Sequence, residues 1–318
     1  MFSAWSLWFA CAWPLGEFVE PPCHGQFADP AACGRCHRAV ETEWKESAHA
    51  RAFIDPVFVR AMQTRSEPER CVPCHAPASV LDRLGQIPRA RNEGREHGVD
   101  CQSCHVRGDV VHGPSGIETE AHATTKDPSM KGRGSVALCS SCHDLRIADV
   151  LPLAREFLAQ MDAETGDESC IGCHMEPTQR VPAVDGDASP SPGELRSGRS
   201  HRLLGPDDAA FCATAFDFQL ERTGQGHRLV LRSGAGHGVP GLARLRSFAV
   251  RIRMLDRNGT ALHEAATTFS WRNRLLVDEE RRWDLPLRAS AVALRVEVDH
   301  IFDNRKPTPV LDRTWELE

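Results

Sequence analysis

The feature that most constrains this chain is a five-residue pattern, Cys-x-x-Cys-His, which occurs five times before residue 175. Ten of the 13 cysteines and five of the 15 histidines belong to these copies. Composition alone predicts roughly 0.03 copies in a chain of this length, so the repetition is not accidental. The copies are Cys33–His37, Cys71–His75, Cys101–His105, Cys139–His143 and Cys170–His174.

Each copy has the spacing of a c-type haem attachment site. Two thiols three positions apart can each add across one vinyl group of a single haem, and the histidine that follows is carried under the ring as the proximal iron ligand. We therefore predict five covalently attached haem c groups. The predicted attachment residues are Cys33, Cys36, Cys71, Cys74, Cys101, Cys104, Cys139, Cys142, Cys170 and Cys173, and the predicted proximal ligands are His37, His75, His105, His143 and His174.

Two other uses of paired cysteines explain the pattern less well. A disulfide framework gives no reason for a histidine after every second cysteine. A zinc ribbon takes two pairs per tetrahedral site, so five pairs leave one over. Cys23 and Cys212 lie outside the motifs; they form either one disulfide or two unrelated thiols, and Cys23-His24 lacks the upstream cysteine of a sixth site.

Charge and hydropathy exclude two broad classes of protein. Lys and Arg number 38 against 44 Asp and Glu, a net charge of −6 without a basic block, which argues against nucleic acid as a partner. The mean hydropathy is −0.38 and no apolar run is long enough for a membrane span. Residues 1–20 are predicted to be a signal peptide, with Ala10-Cys11-Ala12 as the cleavage site; a lipoprotein acylated at Cys11 is the alternative.

The predicted fold class is α+β multidomain, with a haem-packed domain followed by a β-sandwich. Residues 21–181 hold the motifs, which are separated by Gly, Pro and short helical stretches at 39–53 and 149–161, so packed porphyrins must supply much of this core. Residues 182–199, rich in Asp, Ser, Pro and Gly, are predicted to be a linker. This first domain is expected to be mainly helical or irregular, with almost no strands.

Residues 200–318 change to an alternation of apolar and polar residues, which is typical of strands. Asn258-Gly259 lies between two alternating runs and supplies the positive φ angles of a tight hairpin. Several short strands over this length predict a small antiparallel β-sandwich. The strand candidates are 228–232, 248–256, 266–271 and 292–298.

Ten histidines remain for the distal face of the irons. A second axial ligand keeps a haem six-coordinate and favours electron transfer, whereas an open face permits chemistry on a bound molecule. His49 follows His37 on a predicted helix, and His112 and His122 lie in a loop between the third and fourth motifs. His201 and His237 lie in irregular segments beyond the linker, from which they can reach back to the haems. We predict His49, His112, His122, His201 and His237 as distal ligands; His263 and His300 fall in strand-like runs and His227 in a turn.

Several segments resemble those of multihaem cytochromes c related to the tetrahaem electron acceptors of hydroxylamine oxidoreductase. Cys33–His37 followed by Trp44, Ser47 and His49-Ala50 resembles that family's first haem segment, in which the later histidine is a distal ligand. The segments that carry the rest of the resemblance are Gly98-Val99 before Cys101–His105, His112-Gly113-Pro114, Ala121-His122 before Asp127-Pro128, Cys170–Met175, Ser200-His201 and Gly236-His237-x-x-Pro240. The resemblance implies a β domain after the haems.

The leading functional hypothesis is therefore electron transfer in the periplasm or at the cell surface, between donor and acceptor cytochromes or a membrane oxidoreductase. The alternative is an oxidoreductase acting on nitrite or hydroxylamine at one open-faced haem; the related enzymes use a tyrosine near the catalytic iron, and this chain has none. A third hypothesis is a scaffold subunit whose β domain docks a larger complex. No catalytic side chain is predicted.

Overall fold

The computed structural model describes residues 29–117, 119–144, 152–160, 169–184, 195–241, 245–303 and 305–317. The expected signal peptide, Cys23, His24 and residues 185–194 of the expected linker lie outside these ranges.

Short helices dominate the first part of the described chain, residues 29–184, which we call the motif-bearing part. Side-chain caps begin several of them: Asp29 and Asp55 each accept from a backbone N–H two residues on, with Pro at the next position, and Ser169 caps the last helix. None of the helices in the described ranges is long and apolar enough to cross a bilayer. The helices are α1 (Pro30–Gly34), α2 (Arg38–Glu46), α3 (Pro56–Thr64), α4 (Val72–His75), α5 (Cys101–His105), α6 (Gly134–His143), α7 (Leu153–Gln160) and α8 (Cys170–His174), with 3-10 turns at Pro68–Arg70, Val80–Arg83, Arg95–His97 and Pro128–Met130.

The helix predicted over 39–53 ends earlier, at Glu46. Ser47 is extended, with ψ 158°, and its Oγ accepts a hydrogen bond from Ala50 N at 3.2 Å. A serine that bonds local backbone in this way competes with continuation of the helix. His49 therefore lies in a turn after α2 and not on a helix. Of the helix predicted over 149–161, residues Leu153–Gln160 form α7, whereas residues 149–151 and 161 lie outside the described ranges.

Small sheets interrupt the motif-bearing part more than the sequence predicted. One sheet joins β1 (Val106–Arg107), β2 (Val110–Gly113) and β3 (Thr124–Lys126), and its β2–β3 pairing is parallel. A second pairs β4 (Pro177–Arg180) with β5 (Arg196–Arg199), antiparallel. Strand β5 occupies the last residues of the expected linker, so the chain returns to the motif-bearing part before the next element begins.

The later residues form the predicted β-sandwich. After α9 (Ala209–Ala213), antiparallel strands build a three-stranded sheet in the order β10-β7-β6 and a four-stranded sheet in the order β12-β11-β8-β9. All four sequence-predicted strands fall on these elements. The strands are β6 (Phe216–Thr223), β7 (Gly226–Ser233), β8 (Arg246–Leu255), β9 (Ala261–Phe269), β10 (Glu280–Pro286), β11 (Ala293–Phe302) and β12 (Thr308–Glu316).

The core of the sandwich lies between the two sheets. Alternate residues of β8 and β11 are buried because successive side chains on a strand point to opposite faces. They pack against buried Phe and Leu side chains of β6 and β7 in one cluster. This arrangement confirms the predicted fold class.

The β8–β9 hairpin forms where the sequence predicted it, but its turn differs in detail. Gly259 takes φ +79°, whereas Asn258 is not among the residues with positive φ. Asp256 N donates to Thr260 O, which leaves three residues in the loop. A three-residue loop needs only one left-handed position, and glycine fills it without steric cost.

Candidate functional site

All five motifs form a helical turn, which brings their three functional side chains to one face. Residues i, i+3 and i+4 of a helix are neighbours on its surface, and these are the positions of the two cysteines and the histidine. The third, fourth and fifth motifs lie within α5, α6 and α8. At the first and second, His37 N and His75 N donate to Cys33 O and Cys71 O, closing the same turn.

Hydrogen bonds orient four of the five motif histidines. In each, Nδ1 lies 2.6–2.8 Å from a backbone carbonyl, which fixes the proton on Nδ1 and leaves the Nε2 lone pair free. This is the arrangement that metal-bound histidines show. The pairs are His37 with Pro182 O, His75 with Ala52 O, His105 with His112 O, and His174 with Leu204 O.

Four motif histidines face a second imidazole from elsewhere in the chain. The ring centroids are 6.3 Å apart in His37–His122, 6.0 Å in His49–His143, 6.1 Å in His105–His201 and 6.2 Å in His174–His237. The second members are four of the five histidines predicted as distal ligands. His201 and His237 follow the expected linker in the chain.

These separations fit one iron between each pair of rings. A metal–imidazole bond of about 2 Å, as in zinc sites, plus about 1.1 Å from nitrogen to ring centre gives about 6.2 Å for two imidazoles on opposite sides of one metal. Direct contact between aromatic rings also occurs at about 4.5–7 Å, so what points to a metal is that all four pairs share one narrow distance and each includes a motif histidine. Among the described residues, no group of three or more His, Cys, Asp or Glu side chains is placed to hold a bare metal ion. Two cysteines for covalent attachment and two facing imidazoles for the iron therefore fit haem c.

Burial keeps several of these imidazoles neutral, as ligation requires. It lowers the pKa of His143 and of His201 to about 3 and that of His49 to about 4, with neighbouring histidines adding to the effect. Burial also lowers the pKa of His105 and of His237.

The segment that carries His201 is held by an ion pair. Glu43 of α2 accepts a hydrogen bond from His201 N at 2.8 Å and two from Arg180 Nη1 at 2.7 and 2.8 Å. Arg180 Nη2 also donates to Arg199 O at 2.8 Å. Two residues of the motif-bearing part, Glu43 and Arg180, thus hold His201 beside α2.

A second ion pair holds the loop that carries His237. Glu156 of α7 accepts from Gly238 N at 3.0 Å and from Arg274 Nη2 at 2.7 Å. Arg274 donates in turn to the carbonyls of Gly238 and Pro240, at 2.8 and 3.1 Å. Sequence reasoning missed these four charged residues, because no local pattern distinguishes them from the other Glu and Arg side chains.

His75 and His112 depart from this scheme. The ring next to His75 is Phe58, stacked at 3.8 Å and 11°, and within the described part of the chain no imidazole pairs with His75 in the same way. His112, the fifth predicted distal ligand, lies with Nδ1 2.7 Å from Asp127 Oδ2, and its carbonyl accepts from His105 Nδ1. The structure thus brings His112 to the side of the third motif and not opposite a motif histidine.

Contacts between cysteines show which motifs are neighbours. Cys74 lies beside Cys142 and Cys139 beside Cys170, so the fourth motif is next to both the second and the fifth. Cys104 of the third motif is also near Cys139 and Cys142. Helix α1 contacts α5, which joins the first motif to the third. Cys212, outside the motifs, is a buried thiol whose Sγ lies 3.7 Å from Gly205 O.

Helical Cys-x-x-Cys-His turns, oriented histidines and matched second imidazoles are the features of a multihaem protein of the cytochrome c type. The family described as cytochrome c554 and c-prime matches residues 32–106. Cytochrome c-554 of Nitrosomonas europaea is 29% identical over 133 residues, which are 35% of this chain and 54% of that protein. The chain thus spans about half the length of this relative. The two partial sequence matches and the structural match below support a multihaem cytochrome c family for this chain.

The fold also matches a solved structure. A penta-heme cytochrome c552 from Thermochromatium tepidum superposes with a TM-score of 0.64 at 16% identity, and the match covers 90% of this chain and 97% of that one. At this identity the match shows a shared fold, and it extends through the β-sandwich.

Proposed function

We propose that this chain is a pentahaem c-type cytochrome that carries electrons between redox partner proteins in the periplasm or outside the cell. The observation that carries the proposal is the set of four imidazole pairs, each matched to one Cys-x-x-Cys-His turn at a spacing suited to one iron. The second motif, Cys71–His75, has no such matched imidazole among the described residues, but it has the same residue pattern and the same helical turn, so we assign it a haem as well.

The assigned roles follow the geometry. Bound haem c supplies one-electron exchange between ferric and ferrous iron. The cysteines at the first and fourth positions of each motif hold it, and the motif histidine binds the iron through Nε2. His122, His201, His49 and His237 serve as second ligands at the first, third, fourth and fifth motifs. His112 is left out of this set; its carbonyl orients His105 instead.

Neighbouring motifs give the order of transfer. The contacts between cysteines and between α1 and α5 connect the first motif to the third, the third to the fourth, and the fourth to both the second and the fifth. The fourth motif is therefore the branch point. Electrons entering at the first motif reach either the second or the fifth through it.

A second function is favoured by His75. Because Phe58 and no second imidazole lies beside it in the described residues, the haem of the second motif is the one with a face available to a small molecule. An oxidoreductase acting on nitrite or hydroxylamine would use that face. The carrier function needs no such site.

The remaining assignments concern the whole chain. We propose a signal peptide at 1–20, a pentahaem domain at 21–181, a linker at 182–199 and a β-sandwich domain at 200–318. Donor and acceptor cytochromes or a membrane oxidoreductase are the proposed partners.

The test begins by counting haems in the purified, haem-loaded chain, by intact mass and by pyridine haemochrome absorbance. Electron paramagnetic resonance of the oxidised form and carbon monoxide titration of the reduced form then count open irons. We expect five haems and one carbon monoxide site. His122→Ala should add a second site, whereas His97→Ala, a change at a half-buried histidine outside the four pairs, should add none.

The outcomes separate the two functions. Five haems without turnover of nitrite or hydroxylamine by the reduced protein support the carrier. Turnover that carbon monoxide inhibits supports the oxidoreductase. Fewer than five haems, or a carbon monoxide count in His122→Ala equal to that of the parent, would contradict the assignment. Five low-spin haems with no carbon monoxide site would leave the carrier standing and remove the oxidoreductase.

A further inference from the structure

The loop that carries His237 is packed closely against helix α7. A Cβ on Gly236 would lie 2.8 Å from Phe157 Cδ2, and one on Gly238 would lie 2.6 Å from the Arg274 guanidinium. Real Cβ atoms do not come so close to neighbouring atoms, so a larger residue at Gly236 would have to displace Phe157 of α7, and one at Gly238 would have to displace the Arg274 side chain. Leu153 of α7 lies near Gly241 on the same side. The loop is therefore in close contact with α7 at Gly236 and with Arg274 at Gly238.

Glu156 is the polar centre of this contact. Its two carboxylate oxygens accept from Gly238 N and from Arg274, whose side chain is only 10% exposed. Arg274 closes the arrangement by donating to Gly238 O and Pro240 O. Both backbone polar groups of the residue after His237 are therefore bonded to this one ion pair, which restricts the peptide that orients the His237 ring.

The same arrangement recurs at His201, the other imidazole that comes from beyond the linker. There Glu43 accepts from the backbone N–H of His201, and Arg180 bonds both Glu43 and the carbonyl of Arg199. At both places a helix of the motif-bearing part supplies the glutamate. Because a Glu–Arg pair binds the backbone next to both histidines, we interpret it as a feature that positions them.

We infer that Glu156, together with Arg274, is a positioning residue that keeps His237 on the iron of the fifth motif, an inference that rests on the ligand assignment under Proposed function. Each hydrogen bond to a charged group raises the equilibrium constant for the bound conformation roughly tenfold. Without the carboxylate, His237 leaves the iron for a larger fraction of the time, and a competing ligand gains apparent affinity in proportion.

Carbon monoxide titration of the reduced, haem-loaded chain measures this fraction. His237→Ala should bind one more carbon monoxide than the parent. Glu156→Ala should bind at the same haem with an apparent affinity raised roughly tenfold to a hundredfold over that of the parent, and Glu156→Gln, which keeps an acceptor for Gly238 N, by less than tenfold. Added imidazole should restore the low-spin spectrum of Glu156→Ala.

A matched control separates positioning from general stability. Glu280 of β10 is likewise bonded to arginine, in its case Arg232 and Arg282, and 25% of its side chain is exposed against 26% of that of Glu156. Glu280→Ala should lower the melting temperature without changing carbon monoxide binding. Glu156→Gln serves if Glu156→Ala does not incorporate haem.

Each result decides the inference. Parent-like titrations of both Glu156 variants, alongside an added site in His237→Ala, would overturn the positioning role and leave the ligand assignment intact. An equal gain in affinity in Glu280→Ala would also overturn it, because the effect would then be general loosening. If His237→Ala itself gains no site, the ligand assignment fails and this inference falls with it.

Discussion

Replacing Arg91 by Met should destabilise the chain strongly, because it strands a buried carboxylate. The side chains of Arg91 and Asp100 are 3% and 0% exposed. Arg91 donates to the Asp100 carboxylate and to Gly98 O. In Arg91→Met, Asp100 keeps its bonds to Ser103 N and Oγ, both 3.0 Å, but loses its only countercharge in the described contacts. Removing one partner of a buried ion pair costs about 3–5 kcal/mol of unfolding free energy.

The position of the pair makes this cost relevant to the haem sites. Arg91 N donates to the carbonyl of Ala76, the residue after His75. Asp100 caps α5, the helix of the third motif. Val99, beside Gly98, donates from its N–H to His49 O. A single buried pair thus lies among the backbone of three proposed haem sites, so its loss should loosen all three together.

A double-mutant cycle tests the magnitude. Asp100→Asn removes the charge and keeps a capping oxygen, since Asn and Asp are similar N-caps. Guanidinium unfolding of Arg91→Met, Asp100→Asn and the double variant, followed by circular dichroism and the Soret band, should show the double variant losing at least about 2 kcal/mol less than the sum of the two single changes. A loss under about 1 kcal/mol in Arg91→Met, or additivity within about 0.5 kcal/mol, would refute the reasoning.

Three further changes have defined outcomes. Gly98→Ala should lower the unfolding free energy by about 1–3 kcal/mol, because Gly98 has φ +62° and a Cβ there would overlap His49 O; an unchanged denaturation midpoint would contradict this. Glu43→Ala should raise the apparent carbon monoxide affinity at the third motif towards that of His201→Ala, and a parent-like titration would argue against it. Burial lowers the pKa of His300 to about 4 from 6.5, so the unfolded chain binds the extra proton below pH 6.5, and the associated stability is lost as pH falls towards 4. His300→Gln should therefore flatten the unfolding free energy between pH 6.5 and 4 by up to about 1.4 kcal/mol per pH unit, and an unchanged slope would exclude His300 as its source.

The sequence predicted most reliably what depends on short spacings. Cysteines at i and i+3 and a histidine at i+4 share one face of any helical turn, so the motif geometry followed from the chain alone. The β-sandwich followed from period-two alternation, as in β8 and β11, where the pattern of buried residues matches the pattern of apolar ones. Both are properties of a few consecutive residues.

The local sequence pattern did not predict the positions of three histidines, because a single serine or a distant segment determines them. His49 was expected on a helix, but Ser47 ends that helix. The sequence did not distinguish His112 from His122, which lie in one loop. In the structure, where β2 pairs with β3 in parallel, His112 bonds to Asp127 and His122 faces His37. No spacing in the sequence encodes that choice.

The two imidazoles from beyond the linker bear on what the β-sandwich does. Under the proposed ligand set, His201 and His237 complete the third and fifth haem sites, so the C-terminal residues form part of the redox centre and are more than an appended scaffold. The carboxylates that hold them, Glu43 and Glu156, come from helices of the motif-bearing part. The third and fifth sites therefore depend on both parts, because the later residues bring the second imidazoles and the motif-bearing part brings the carboxylates that hold them. Separating the parts should accordingly change the spin state of two haems and leave the His37–His122 and His49–His143 pairs intact, a pattern that a docking module with no ligand role would not produce.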